Sequence, residues 1–439
     1  MRAVPWVVAA LAAVFVPSAL AQEASGAPPA PASPSPSPET SPSPTPPAAP
    51  RPPFVAGYKN GFNLQSETGD FVLRLTALVQ VDGRFALSDE RNLVTNQFLL
   101  RRVRPALQGT VAKYFDFFVN PDFALGTTVL QDGYLDVHFT NKLRVRAGKM
   151  KSPFGLERLQ SAQSILFVER GLPTLVAPNR DVGVQVHGEL GRGVFTYQLA
   201  LLDGVTDAGN IDGDTNDAKD FVGRVFLQPW RGKGSSPLRG LGFGIAGSTG
   251  TANGPLRGYN ALSQVSVFSY ATTVNAAGKR QRWSPQAWLF AGPVGVLAEY
   301  VEAHHEVERV EAAKPTVSGT LKDSAWDLTG SWLVTGEDAT YGSVKPKNFF
   351  VPSARKWGAV QLVARAQRLS LDATTFSGGY ADPTRSIRQA TAWGVGVNWI
   401  WNQNLKYVLD YEQTRFKGGA AGADRPTEKS VQTRLQLSF

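Results

Sequence analysis

The sequence predicts an all-β fold, a transmembrane antiparallel β-barrel of sixteen strands with short turns at one end and long loops at the other. Three observations predict it. Apolar and polar residues alternate with period two through most of the chain beyond Phe54, which is the mark of strands with one greasy and one polar face. Short and long connections take turns between those strands, as they do in a membrane barrel. No segment of the mature chain is an apolar run of about 18 residues or more, so passage through a membrane requires a closed barrel in which every backbone group is paired.

The elements follow in order from the N-terminus. Met1 and Arg2 give a positive start, Val7 to Val16 is apolar, and Ala19-Leu20-Ala21 is a small-x-small cleavage site, so residues 1–21 read as an export signal. Pro17 and the shortness of the apolar stretch argue against a spanning helix. In residues 22–53, 13 of the 32 positions are Pro and bulky apolar residues are missing. Such a segment buries no core and reads as an extended, solvated periplasmic spacer. Residues 54–439 form the barrel domain.

Within that domain strands are expected at 71–82, 97–111, 115–123, 131–140, 142–150, 181–190, 194–203, 220–229, 240–249, 283–291, 294–303, 324–335, 357–370, 391–401, 405–416 and 430–439. At the C-terminus Val431, Thr433, Leu435, Leu437 and Phe439 share one face, and Gln432, Arg434, Gln436 and Ser438 the other. Trp393, Val395, Val397 and Trp399, like Tyr407, Leu409 and Tyr411, repeat the pattern with aromatic residues at the ends of the greasy faces, as membrane girdles require. Connections at 141–142, 191–193, 292–293 and 402–404 are tight, the periplasmic turns of a barrel; those at 151–180, 204–219, 250–282, 304–323, 371–390 and 417–429 are long, its outer loops. One segment, 336–356, is a long connection on the short-turn side. The terminal aromatic Phe439 suits recognition by a barrel-insertion machinery.

Composition narrows the function classes. With no cysteine there is neither a disulfide, nor a thiolate metal site, nor a lipid-anchoring Cys. The formal charge of +9 favours anionic partners of any kind, but the basic residues alternate along strands instead of clustering on a helix, so nucleic acid is not expected. No catalytic nucleophile stands out beside His138, His187, His304 or His305. Glu302, His304, His305, Glu306 and Glu308 are the one cluster resembling metal ligands, and they fall in a predicted loop without ligand spacing, which reads as a solvated charged face. Neither a cofactor nor a metal is expected.

Several segments resemble the phosphate-selective porin O and P family: Phe98 to Gly109 (FLLRRVRPALQG), Tyr134 to Lys149 ending in Ala147-Gly148-Lys149, and Ser152 to Gly188 (SPFGLERLQSAQSILFVERGLPTLVAPNRDVGVQVHG). Leu333 to Glu337 and Gly358 to Arg365 look like family segments too, and the likeness spans about residues 58 to 439. The resemblance implies a sixteen-stranded homotrimeric porin of the bacterial outer membrane, surrounded by its lipid, whose third loop folds into the lumen and whose arginines guide small anions such as phosphate.

The polar strand faces supply residues for such a path. Arg74, Arg102, Arg104, Arg144, Arg146, Arg224 and Arg365 are placed toward the lumen, with Asp82, Asp136, Glu189, Asp410 and Glu412 as carboxylate partners on the same face. A guanidinium is always charged, weakly hydrated and able to hold two oxygens of one phosphate, so a row of them lowers the cost of dehydrating an anion. The 151–180 connection is long enough to be functional, and Lys151, Arg158, Arg170 and Arg180 are its candidates for narrowing and charging the pore. A non-selective porin, a barrel enzyme and a secreted soluble β-sandwich are the competing readings. Deleting residues 22–53 should leave channel conductance nearly unchanged, because a polyproline spacer adds no lumen surface. Planar-bilayer recording of the deletion variant checks this, and a collapse of conductance in a correctly folded protein would show that the segment plugs the pore.

Overall fold

The computed structural model describes residues 54–88, 94–210, 212–214, 216–234, 236 and 238–439. The expected export signal and the Pro-rich spacer lie outside the described residues. The chain opens with a hairpin of β1 (Phe54–Tyr58) and β2 (Phe62–Ser66), followed by β3 (Val72–Ser88), β4 (Gln97–Val111), β5 (Phe115–Asp122), β6 (Val129–Thr140) and β7 (Leu143–Lys151). After a long loop come β8 (Arg180–Leu190), β9 (Phe195–Leu202), β10 (Asp220–Leu227) and β11 (Leu241–Pro255), then a small loop hairpin of β12 (Tyr259–Asn260) and β13 (Ser266–Phe268). The wall continues with β14 (Val274–Ala291), β15 (Val294–Arg309), β16 (Val317–Leu333), β17 (Ala359–Ser370), β18 (Ile387–Ile400), β19 (Leu405–Ala420), a two-residue β20 (Ala423–Asp424) and β21 (Glu428–Ser438).

Sixteen of these strands, β3 to β11, β14 to β19 and β21, close into one antiparallel barrel in which each pairs with its neighbours in sequence and β21 returns to β3. The seam is fixed by a buried ion pair. Arg434 faces Asp82 across it and donates through Nε and Nη2 to both carboxylate oxygens, each at 2.7 Å. Below the seam Ala77 and Phe439 exchange backbone bonds of 2.9 and 3.0 Å, and β2 takes over pairing with β3 between Val72 and Leu75. The sequence reading did not separate out this N-terminal hairpin.

Alternation sorts the faces as expected. Leu435, Leu437, Val395, Leu409, Val184 and Leu328 are exposed on the outer face, whereas Gln432, Arg434, Gln436, Asp410 and Glu412 are buried inside. Phe350 packs against Trp357, Trp399 and Trp401 at the turn end, and Trp283 with Tyr300 sits farther up the outer wall, 5.3 Å between ring centroids.

All sixteen expected strands coincide with barrel strands, but several run on past their expected outer ends. β14 begins at Val274, β15 reaches Arg309 and β16 begins at Val317, so the loops expected at 250–282 and 304–323 shrink to 256–273 and 310–316. Beyond the lipid band the outward residues turn polar, as at Lys279, Gln281 and Glu306; the apolar alternation then vanishes while the hydrogen-bonded ladder continues. The Glu302–Glu308 cluster therefore lies on β15 and not in a loop. Its members are divided between the two faces: His304 bonds Glu302 at 2.8 Å, and His305 meets Asp207 at 3.1 Å.

The inner face departs from a uniformly polar lining. Toward the loop end it carries Leu202, Val222, Val301, Ala325, Leu369 and Phe416, all buried under Phe154, Leu172 and Val176 of the 152–179 loop and under Tyr259, Leu262 and Phe268 of the 256–273 loop. Each large apolar side chain removed from water there stabilises the infolded loops by about 1.5–3 kcal/mol. The long turn 334–358 enters from the opposite end, where Val344 and Ala339 pack with Leu333, Ala359 and Ile400.

The closed ladder should keep the unboiled protein in a compact, β-rich form on a gel, shifting in mobility only after strong heating. Asp82→Ala strands Arg434 in the wall and should cost about 3–5 kcal/mol, read as a lower temperature for that mobility shift. An unchanged shift temperature would remove the seam pair as a stabilising element.

Candidate functional site

The lumen is shaped by the 152–179 loop, which folds inside the barrel because the inner wall offers its backbone a set of partners. Glu299 of β15 accepts the amides of Leu156 and Glu157 at 2.6 and 3.2 Å, at the start of the single-turn helix α1 (Leu156–Leu159). Gln367 of β17 accepts the amide of Leu172 at 2.7 Å, and Asp410 of β19 that of Val168 at 2.6 Å. In the other direction Gln80 donates to the carbonyl of Ala162 at 3.1 Å, Gln436 to that of Gln163 at 3.1 Å, Asn398 to that of Leu166 at 3.0 Å and Arg365 to that of Glu169 at 3.0 Å. Irregular backbone is thereby satisfied at membrane depth. The 334–358 turn meets the same loop from below: the Tyr341 hydroxyl donates to the carbonyl of Leu156, Gln160 donates to that of Tyr341 at 2.9 Å, and the Ser164 and Ser343 hydroxyls lie 3.0 Å apart.

Beside these infolded segments, toward the turn end, lies an open cavity of about 730 Å³. Its charged lining is one-sided. Arg74, Arg104, Arg146, Lys151, Arg180 and Lys345 face it, and Asp132 is the one acidic side chain among the described lining residues. Three of the arginines are held by carboxylates of the wall: Arg104 by Asp122 at 2.8 Å, Arg146 by Asp136 at 2.6 Å and Arg180 by Asp132 at 3.0 Å. Arg74 donates to Asn63 at 2.6 Å, and Lys151 to the carbonyls of Leu159 and Gln160 at 3.1 and 2.9 Å. These last two have neutral partners.

Five of the eleven residues read from the sequence therefore meet at one cavity: Arg74, Arg104, Arg146, Lys151 and Arg180. The others lie elsewhere. Arg144 bridges Asp116 and Asp136 at 2.6 and 3.2 Å, and Arg224 bonds Gln286 at 3.0 Å over the ring of Phe226. Arg102 and Arg365 are almost wholly buried, Arg102 against Gln80 and Arg365 in an ion pair with Glu412. Arg158 and Arg170, read as charges for the pore, turn back into their own loop instead. Arg158 donates to the carbonyl of Thr174, and Arg170 to those of Glu157 and Gln160 at 3.0 and 2.7 Å. Burial lowers Arg158 to about 9, helped by the charges of Arg170 and Arg180, and lowers Arg170 to about 10 against the pull of Glu157, so both stay protonated at neutral pH.

Sequence reasoning missed further cations. Arg280 and Arg282 lie on the extended part of β14, buried with Asp220 and Asp207. Their signal was present, since Arg280, Arg282, Ser284 and Gln286 alternate along one face. Although burial pushes the Asp207 carboxyl up, Arg282 and His305 hold it below the usual range. Lys345 comes from a turn without periodicity, and no sequence signal marked it. Asp82, one of the carboxylates expected on the inner face, is committed to Arg434, and Arg102 bonds Gln80.

The model of the phosphate-selective porin O and P family matches residues 73–439. Among solved structures the fold is similar to the outer membrane channel DcaP of Acinetobacter baumannii (TM-score 0.55, 10% identity, 88% of this chain and 100% of that one). It is also similar to an anion-selective porin from Comamonas acidovorans (0.51, 11%, 84% and 100%) and to in-vitro folded OmpT of Vibrio cholerae in its trimer form (0.50, 11%, 84% and 99%). No match was found among curated proteins.

Since Arg170 acts as a tie within the infolded loop, Arg170→Met should loosen that loop without opening the barrel. Limited proteolysis of the folded protein is expected to cut the variant between residues 151 and 180 and to leave the parent intact. Equal resistance of the two would show that the wall contacts hold the loop without Arg170.

Proposed function

The chain belongs to the phosphate-selective porin O and P family and is an outer-membrane porin, not an enzyme; from that premise we propose that it forms a passive channel preferring small anions, phosphate among them. The observation that carries this reading is the lining of the 730 Å³ cavity, six basic side chains against one acidic side chain among the described residues. The Debye length at physiological salt is about 8 Å, so a solute inside a cavity of this size is not screened from such charges. Guanidinium groups shed water readily and match two phosphate oxygens at once, while the ammonium group of Lys345 acts as a point charge. Pairing of three arginines with wall carboxylates moderates each site, which lets an anion leave as well as enter. The assembly is read as a homotrimer, in line with the trimeric form of the Vibrio cholerae relative, and residues 1–21 as the signal that exports the chain.

Single-channel recording in a planar bilayer under a potassium chloride gradient tests the ion sign. The reversal potential is expected on the chloride side, with added phosphate reducing the chloride current. In Arg74→Gln/Arg104→Gln it should move toward potassium, because two lining charges are lost while the face stays polar. A parent channel selective for potassium would overturn the reading. An unchanged reversal potential in a correctly inserted double variant would take these two arginines off the path.

A further inference from the structure

Counted by strict alternation from the inward, buried Arg102, Arg101 of β4 would turn toward lipid. The pairing, however, skips it: Gln80 opposes Arg102 and Val81 opposes Leu100, so Arg101 is the extra residue of a β-bulge. Bulges re-aim side chains, and this one turns two consecutive arginines to the same side of the wall. Arg101 then reaches Glu169 of the infolded loop, donating from Nε at 2.6 Å and from Nη2 at 3.2 Å. Arg84 of β3 donates to the same carboxylate.

We propose that Glu169 is a built-in counter-ion occupying an oxoanion-binding site made by Arg84, Arg101 and Arg102, and that it thereby sets how loosely the pore holds phosphate. The carboxylate lies where the two oxygens of a tetrahedral oxoanion would sit, accepting from two guanidiniums at once. Among the described residues the nearest wall carboxylates are already engaged. Asp82, 3.6 Å from Arg84, is taken by both donors of Arg434, and Glu412 is taken by Arg365. Donors are also left over: Arg102 is 3% exposed and Arg84 7%, and the Nε of each has no acceptor among the described residues. A buried guanidinium nitrogen without a partner is costly, and an entering anion with more oxygens than a carboxylate would satisfy it. Against the upward push of burial, Arg101 and Arg84 hold the Glu169 carboxyl well below the usual range, so the counter-ion persists through physiological pH. Removing it need not release the loop, because Arg365 grips the Glu169 carbonyl and Asp410 the Val168 amide independently.

The inference deepens the anion-channel reading and rests on it. Phosphate is titrated into chloride solution on both sides of a bilayer holding the full-length porin, and the concentration that halves the chloride current is read. Glu169→Gln removes the negative charge and leaves one amide oxygen between the two guanidiniums, so an entering phosphate meets both positive charges and the half-blocking concentration should fall by about tenfold or more. The same fall should vanish in Glu169→Gln/Arg84→Gln/Arg101→Gln. Glu169→Asp, which keeps the charge but shortens its reach toward Arg84 and Arg101, serves where the Gln variant does not insert and should lower the half-blocking concentration by a smaller factor. An unaltered block in both Glu169→Gln and Glu169→Asp, or a fall that survives loss of both arginines, overturns the proposal. The two readings separate cleanly. A potassium-selective parent whose Glu169→Gln variant gains the block sinks the channel preference and leaves the site, whereas an anion-selective parent with no gain does the reverse.

Discussion

Closure of the backbone ladder is the constraint from which the rest of the molecule follows. In lipid each unpaired amide or carbonyl costs several kcal/mol, so sixteen strands are stable there only if the last one finds the first. The seam between β21 and β3 meets this demand with backbone pairing from Leu78 to Ser88 and with the Arg434–Asp82 pair locked inside it. An ion pair buried this deeply contributes little net stability, since desolvation opposes its attraction, but it penalises a slipped register strongly. A shift by one residue would turn Arg434 to the lipid and Leu435 to the lumen.

Once the wall is closed, its interior behaves as two materials. Toward the loop end the inner face carries an apolar patch beside the buried Arg280 and Arg282 ion pairs, and the patch is covered by loops that fold inward, in the manner of a small soluble core enclosed by a sheet. Toward the turn end it is polar and left open, and the cations gather there. The border between the two is the 152–179 loop, bound to the wall by amides and carbonyls that the wall side chains match one by one. Charge and narrowing thus come from different elements: strand residues and Lys345 of the turn line the cavity, while loop arginines such as Arg158 and Arg170 use their donors to keep the loop folded.

The fold was legible because period-two alternation and turn spacing are local and redundant. Trp393 to Trp399 and Val431 to Phe439 announce a strand and its outward face without any knowledge of their partners. Legibility ended where the outward face became polar, which is why β14 was read from 283 while its ladder starts at Val274. The site was legible in part. Arg74, Arg104 and Arg146 point inward by parity alone, but whether an inward arginine meets the open cavity or lies beneath a loop depends on long-range packing, and Arg102 and Arg365 fall on the wrong side of that distinction. Arg101 was invisible for a sharper reason: a bulge breaks the parity on which the whole reading stands.

That bulge has a consequence for how such a wall diversifies. Above Arg101 the register runs through Leu100 and Val81, below it through Arg102 and Gln80, and the two halves would join without a step if the single residue were absent. A one-residue deletion at this point would therefore leave the sheet's topology, its lipid face and its seam as they are, and would subtract one positive charge from the interior. Insertions and deletions, ordinarily ruinous within a strand, become at this position a reversible way for a lineage to exchange charge in the lumen for regularity in the wall.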